Sequence, residues 1–258
     1  MKRKLIGTAL IAMAAVACNT KIDTPEVYGE LSVSLSGEPV VEVVSKAAET
    51  LDPTDPEATN YTVSIYDSKN ALRYQSPYST FEAQKLVLGT YYVSAENCTD
   101  VQAEEGNGRM RLYGRSADVT LTADALVQEA EVSCVVANAK VSVQFDESVQ
   151  GRFSELQVSL TGGTKRTTPV IIEQTAIGTV TEAWFNPSEL TYTITGTFTG
   201  SGMNKPVNIS RDITLSAKDN IILLVKVNLE NGQLMPSVAV DTQIDNPTEV
   251  PEEFNPYI

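Results

Sequence analysis

Apolar and polar residues alternate along most of the chain. Leu31, Val33 and Leu35 alternate with serines. Because successive side chains of a strand point to opposite faces, a period of two is typical of strands with one buried face. The same pattern recurs at residues 61–67, 89–95, 118–122, 139–145, 156–160, 169–173, 190–198, 209–215 and 221–229. Glycine, proline, serine and aspartate separate these segments, so the pattern predicts an all-β protein with many short strands.

A faint internal repeat divides the chain. Residues 118–123 (DVTLTA) resemble 212–217 (DITLSA), and residues 61–65 match 156–160 in residue type, at offsets of 94 and 95 residues. A repeat of about 100 residues fits tandem β-sandwiches, either immunoglobulin-like or transthyretin-like. We therefore predict an N-terminal β-sandwich domain over residues 29–137 and a C-terminal one over 138–240. Residues 241–258 are rich in acid and proline, which predicts a solvated tail, with a donor strand as the alternative.

The first residues have the layout of an export signal. Basic residues at 2–4 precede an uncharged apolar run over 5–16, and small residues lead to Cys18. The run is shorter than the roughly 20 residues that span a bilayer. A cysteine directly after the cut is the mark of a lipoprotein, so we predict a signal peptide over 1–17, lipidation of Cys18, and a lipidated tether over 18–28.

Charge and composition restrict the partners and the chemistry. Three of the 19 basic residues precede Cys18, so the chain after it carries 16 basic and 33 acidic residues. Such a body repels nucleic acid, and we expect no nucleic-acid partner. The chain has no histidine, the commonest general base and zinc ligand, and it has no phosphate loop or Gly-x-Ser-x-Gly motif. We therefore predict that the protein is not an enzyme and uses no cofactor.

Two cysteines remain after Cys18. In an exported protein Cys98 and Cys134 either form a disulfide or remain as two buried thiols, and the sequence leaves both readings open. A catalytic cysteine is not expected, because no histidine is present to activate it. The acids near residues 52–57 lack the pattern of a calcium loop, so we predict no metal site.

Aromatic residues supply the candidates for ligand contact. Trp184, Tyr74 and Tyr78 are candidates for contact with carbohydrate or a protein partner, although core packing is the common use of such rings. In the pair Tyr91–Tyr92, strand alternation buries one member.

Together these features resemble a known group. The cysteine at position 18, the strand at 29–35, Leu88–Ala95 and the run 135–141 look like the two-domain lipoproteins of gut Bacteroidales. That group is similar in plan to fimbrillin-type subunits and anchors. The resemblance implies two tandem β-sandwiches at the outer membrane or cell surface. For fimbrial members it also implies assembly by strand addition, in which a partner's strand fills a groove opened by proteolysis.

The chain departs from a polymerising subunit in its basic residues. No arginine lies between Cys18 and Arg73, and Lys46, which follows the first strand, is the candidate processing site. Without a cut there, a permanently lipidated anchor fits better. We therefore predict a surface lipoprotein with a structural or adhesive role, fimbrillin-like, as a fimbrial anchor or accessory subunit. The alternative is a glycan-binding outer-membrane lipoprotein of a polysaccharide-uptake system.

Overall fold

The computed structural model describes residues 26–37, 49–51, 60–174, 179–199, 204–228, 233–241 and 248–251. These residues form β-strands joined by turns and three short 3-10 segments, Tyr78–Thr80, Gln102–Glu104 and Glu147–Val149, so the predicted all-β class is confirmed. None of the described helices is long and apolar enough to cross a membrane. The predicted signal peptide, Cys18 and Lys46 lie outside the described residues.

The first nine strands build the N-terminal part. They are β1 (Tyr28–Gly37), β2 (Glu49–Leu51), β3 (Thr62–Asp67), β4 (Leu72–Pro77), β5 (Gln84–Val87), β6 (Gly89–Glu96), β7 (Leu112–Arg115), β8 (Val119–Leu121) and β9 (Val127–Val136). The sheet order is β2-β1-β9-β7-β6-β3-β4, while β5 pairs with β1 and β8 pairs with β6. The pairing of β1 with β9 is parallel, and the other pairings are antiparallel.

The remaining strands build the C-terminal part in two sheets. They are β10 (Ala139–Phe145), β11 (Phe153–Gly162), β12 (Val170–Glu173), β13 (Val180–Phe185), β14 (Glu189–Phe198), β15 (Lys205–Thr214), β16 (Asn220–Asn228), β17 (Gln233–Asp241) and β18 (Thr248–Pro251). One sheet has the order β13-β10-β16-β17-β18 and the other β12-β11-β14-β15. β10 runs parallel to β16.

The two parts share one strand plan. In each, the first strand lies parallel to a late strand, β1 to β9 and β10 to β16. In each, a central strand lies between two antiparallel neighbours, β3 between β4 and β6, and β11 between β12 and β14. The echoing segments 61–65 and 156–160 fall on β3 and β11. The sequence repeat therefore coincides with strands that hold equivalent positions.

Each part has its own hydrophobic cluster. The N-terminal cluster includes Leu31, Leu35, Val63 and Val93, and the C-terminal cluster draws on both of its sheets, with Val143 and Ile194 among its fully buried residues. Alternation explains this, because every second side chain of these strands points inward. The division at 29–137 and 138–240 into two sandwich domains stays a prediction.

Candidate functional site

An exposed apolar surface lies where the described chain begins. We call it the apolar pole, and it consists of Val27, Tyr28, Val87, Leu126 and Val127, each between 40% and 70% exposed. These side chains lie together because Tyr28 pairs with Val87 across β1 and β5, and because the Glu30 N–H donates to the Leu126 carbonyl at 2.6 Å. Lys85 and Glu30 border it. Clustered exposed apolar side chains mark an interaction site more often than isolated ones do.

The two parts meet at a junction built around a buried carboxylate. The junction consists of the loop at residues 97–111 and the turns at 162–166 and 184–188. Glu104, in that loop, is 3% exposed. Its Oε1 accepts hydrogen bonds from the backbone N–H groups of Thr164 at 3.1 Å and Asn186 at 2.7 Å. Its Oε2 accepts from those of Lys165 at 2.6 Å and Arg166 at 2.9 Å. One side chain of the N-terminal part therefore organises two turns of the C-terminal part.

Arg166 closes the junction from the other side. Its guanidinium donates to the Gly106 carbonyl and, at 3.4 Å, to the Trp184 carbonyl. It also lies 5.0 Å from the centroid of the Phe185 ring. Burial lowers the pKa of Arg166, an effect that the charge of Glu104 opposes. The Trp184 N–H donates to the Asn107 carbonyl at 2.7 Å. This hydrogen bond and the one from Arg166 to Gly106 both join the C-terminal part to the N-terminal part.

The segment connecting the two parts is held in the same way. Asn138 is fully buried, and its Nδ2 donates to the Arg109 carbonyl at 2.7 Å while its Oδ1 accepts from the Arg111 N–H at 3.0 Å. Gly108 has a φ of +78°, and a Cβ there would lie 2.7 Å from the Trp184 carbonyl oxygen. The connection is thus a hydrogen-bonded, closely packed contact and not a loose linker.

The predicted aromatic contacts are not assembled into one platform. Tyr78 is 4% exposed and belongs to the N-terminal hydrophobic cluster, so it offers no ring face to a ligand. Tyr74 is half-buried and packs edge-on against Phe81 at 5.8 Å. Trp184 is half-buried on β13 with its backbone held in the junction. Tyr74 and Tyr78 therefore pack against the N-terminal hydrophobic cluster, whereas Trp184 lies on a strand of the C-terminal part.

Both cysteines described by the structure are buried free thiols. The Cys134 Sγ lies 3.6 Å from the Ala95 carbonyl oxygen, and the Cys98 Sγ lies 3.8 Å from that of Met110. Burial raises the pKa of Cys134 to about 12, which leaves almost no reactive thiolate at neutral pH. This arrangement is the second of the two interpretations left open by the sequence, two buried thiols, and thiol titration tests it.

The outer face of the N-terminal sheet is covered by its own side chains. Tyr91 is buried, whereas Tyr92 points outward, as alternation predicts. The Tyr92 ring stacks on Tyr66 at 5.1 Å, and the Arg115 guanidinium lies 4.0 Å from its centroid. Gln75 Nε2 donates to Ser64 Oγ on the same face at 2.9 Å. Both faces of the Tyr92 ring are thus occupied.

The outer face of β11, β12, β14 and β15 is open instead. A cavity of about 820 Å³ lies on it, and its walls include a row of polar residues, one from each strand. We call this cavity the groove, and the polar row consists of Glu173, Gln157, Thr195 and Asn208. The strand register aligns them, because Gln157 pairs with both Glu173 and Thr195, and Thr195 pairs with Asn208.

A β-bulge shapes the floor of the groove. The register of β11 against β14 shifts between Ser154 and Gln157, so Glu155 and Leu156 lie opposite Gly196. Glu155 has a φ of +56°, a conformation that non-glycine residues rarely adopt. A Cβ on Gly196 would lie 3.0 Å from the Leu156 Cα, so glycine allows the close approach of the two strands. The β-bulge therefore lies in the wall of the groove.

No group of three or more His, Cys, Asp or Glu side chains is placed to hold a metal among the residues that the structure describes. The acids at 52–57 lie outside those residues.

Comparison with known proteins assigns the chain to a family. A family model described as "Domain of unknown function (DUF4493)" matches residues 28–255. The chain belongs to this family. No curated protein matches the DUF4493 chain.

Solved structures show distant likenesses to this DUF4493 protein. The fimbrial anchor protein Mfa2 from Porphyromonas gingivalis is 12% identical, with 86% of this chain and 100% of that chain covered and a TM-score of 0.48. A fimbrial assembly protein from Parabacteroides distasonis is 9% identical, with 88% and 100% covered and a TM-score of 0.45. A Bacteroides thetaiotaomicron structure, provisionally named for polysaccharide binding, is 9% identical, with 86% and 98% covered and a TM-score of 0.45. The predicted resemblance to fimbrillin-type proteins of Bacteroidales is confirmed as a likeness.

Sequence reasoning missed the junction and the groove of this DUF4493 chain. Glu104 is one of 33 acids, and nothing local marks it as the one that is buried. The groove depends on register, because Gln157, Thr195 and Asn208 are far apart along the chain. One signal was present in the sequence, since residues 191, 193, 195, 197 and 199 are all threonine and predict a polar outer face for that strand.

Proposed function

We propose that this protein is a cell-surface lipoprotein with a structural or adhesive, non-enzymatic role, held at the outer membrane by a lipid on Cys18. Within this proposal it acts as a fimbrial anchor or accessory subunit. The single observation that carries the proposal is the position of the apolar pole at the root of the tether.

The length of the tether ties the pole to the membrane. Glu26, the first described residue, lies eight positions after Cys18, and eight residue steps of fully extended chain reach at most about 28 Å. A lipid on Cys18 therefore keeps the start of β1 close to the bilayer. Val27 and Tyr28 are 50% and 52% exposed there, and Val127 is 70% exposed. Acyl chains in the bilayer and these side chains on the body together favour an arrangement in which the pole faces lipid.

The junction supports the structural part of the proposal. A surface protein that carries a partner or withstands pulling must not bend freely between its parts. The buried Glu104 carboxylate opposes such bending, because separation of the parts would break its four charge-assisted hydrogen bonds to backbone N–H groups of the other part.

The role of an anchor agrees with the place of β1. This strand lies between β5 and β9 and buries Leu31 and Leu35 almost completely. A cut at Lys46 would separate the lipid and β1 from the rest of the body. An anchor therefore requires an intact chain at Lys46, and partner strands would add at a sheet edge.

The test uses cells that express the full chain or a Cys18→Ser variant. We expect a clickable fatty acid to label only the wild type, and external protease to remove the wild type from intact cells. Cells with the wild type should attach to a host-glycan surface, or retain fimbriae, better than cells with the variant. Absence of label on the wild type would overturn the lipid anchor, and equal attachment would overturn the adhesive role.

A second candidate function is favoured by a separate observation. The groove offers unpaired polar side chains on an open sheet face, which supports a glycan-binding lipoprotein of a polysaccharide-uptake system.

A further inference from the structure

We propose that the groove is a binding site for a neutral oligosaccharide chain, bound across the strands by the row Glu173, Gln157, Thr195 and Asn208. This inference rests on the second candidate function, and it names the site and the ligand class.

The polar row has the chemistry of a polyol site. The amides of Gln157 and Asn208 and the hydroxyl of Thr195 each donate and accept hydrogen bonds, and the Glu173 carboxylate accepts them. Sugar hydroxyls also donate and accept, so the two sets are complementary. Four strands at a spacing of about 4.8 Å give the row a length of roughly 14 Å, which suits several linked sugars better than one.

The hydrogen-bonding capacity of this row is unused. None of its four side chains makes a side-chain hydrogen bond within the described residues. The adjacent outward residues of β14 and β15 differ: Thr193 Oγ1 and Ser210 Oγ lie 3.0 Å apart, and Thr191 Oγ1 donates to Asp212 at 2.6 Å. Gln157 and Thr195 are half-buried, so water reaches them less freely than it reaches a flat surface. The same sheet therefore has a region whose polar side chains bond to one another beside a region whose polar side chains have no partner among the described residues, and the second region lies in the cavity.

The acidic side chains in the wall of the groove favour a neutral ligand over an anionic one. Glu155 and Glu173 are both in the wall of the groove, and no lysine or arginine is among the described residues that line it. An anionic glycan would place its carboxylates or sulfates near these acids without a compensating cation, which costs free energy. Uronic-acid and sulfated polysaccharides are therefore poor ligands.

Backbone strain supports a role for the floor. Glu155 adopts the left-handed conformation inside a bulge, and such strain is concentrated at functional sites because the surrounding structure must maintain it. The bulge and Gly196 lie in the wall of the groove, directly beside the polar row.

The groove also lies away from the membrane-facing end. β9 runs from the apolar pole at Val127 to the junction after Val136, and β11 runs from the groove at Phe153 to the junction at Gly162. The pole and the groove therefore lie on opposite sides of the junction, so a ligand in the groove does not compete with the bilayer.

Binding is measured with the purified full mature chain, by affinity electrophoresis and calorimetry with four probes. Laminarin, yeast mannan and glycogen are the neutral probes, and polygalacturonate is the anionic one. The test variant is Gln157→Ala combined with Asn208→Ala. The matched control is Thr193→Ala combined with Ser210→Ala, which removes two polar groups from the neighbouring strand positions. Thermal unfolding of each variant checks that it is folded.

We expect at least one neutral polysaccharide to bind the wild type and polygalacturonate not to bind. The groove variant should lose at least tenfold in affinity, while the control stays within about twofold. Glu173→Gln should raise binding of polygalacturonate. The inference is overturned if no neutral probe binds, or if the groove and control variants lose affinity equally. Neither result bears on lipidation at Cys18, so failure here is distinct from failure of the anchor.

Discussion

The N-terminal and C-terminal parts share a strand plan but differ in what they do with their outer faces. On the outer face of the N-terminal sheet, the Tyr92 ring stacks on Tyr66, and the Arg115 guanidinium lies over the Tyr92 ring. Around the equivalent central strand of the C-terminal sheet, the polar row and the bulge leave a cavity. The inner faces of both are filled with aliphatic side chains.

The two parts therefore combine similar inner faces with different outer faces. Inner positions are constrained by packing in both parts, so they stay similar in type. Outer positions are less constrained by packing. In the N-terminal part they hold aromatic rings that pack on one another, and in the groove of the C-terminal part they hold polar side chains without a partner in the portion of the chain that the structure describes. Glu104 of the N-terminal part is hydrogen-bonded to the C-terminal part, so the N-terminal part stabilises the part that carries the groove.

The largest expected effect comes from removing the contact between the parts. Glu104→Ala leaves four backbone N–H groups without their acceptor, and we expect a loss of about 3–5 kcal/mol in the free energy of unfolding. Urea unfolding should then show the two parts losing structure separately. Glu105→Ala is the matched control, because its exposed neighbouring side chain should change stability by less than about 0.5 kcal/mol. Equal effects would contradict the role of Glu104.

A second pair of variants separates backbone strain from packing at the same junction. Gly106 and Gly108 both have positive φ, but a Cβ at 106 meets nothing within 4 Å, whereas one at 108 meets the Trp184 backbone. We expect Gly106→Ala to cost about 1 kcal/mol and Gly108→Ala about 3 kcal/mol, measured by thermal unfolding. A cost that is the same at both positions would show that the loop moves freely against the C-terminal part.

The variant Tyr92→Ala tests the outer face of the N-terminal sheet. Loss of the stack with Tyr66 and of the contact with Arg115 should cost about 1–2 kcal/mol in stability. Affinity for a neutral polysaccharide should not change, because the Tyr92 ring is already in contact with Tyr66 and Arg115. A tenfold loss of affinity in a folded variant would move the ligand site to the N-terminal part.

The smallest effect is expected at the bulge of the open face. Glu155→Gly places glycine at a φ of +56°, where it fits without strain, and should raise the free energy of unfolding by about 1 kcal/mol. Chemical denaturation measures it. Lower stability in this variant would mean that the Glu155 side chain contributes contacts that outweigh the strain.

Much of the fold could be predicted from the sequence, because alternation at positions such as 31–35 and 61–67 reports directly on burial. The equivalence of β3 and β11 was also visible as a repeat. Tyr78 is a candidate for ligand contact in the sequence, yet its ring packs into the core. Alternation does not predict burial there, because Tyr78 lies in a short 3-10 segment and not in a strand. Glu104 and the polar row depend on which loops and strands meet, and that information lies in tertiary register.

The central claim is that the pole faces the membrane and the groove faces outward. The direct measurement places single cysteines at Val127 and Asn208 of the full chain and exposes intact cells to a membrane-impermeant maleimide, with the buried Cys98 and Cys134 as internal background. We expect rapid labelling of Asn208→Cys and slow labelling of Val127→Cys on intact cells, and rapid labelling of both positions in the purified Cys18→Ser protein. Equal labelling of both positions on intact cells would contradict it.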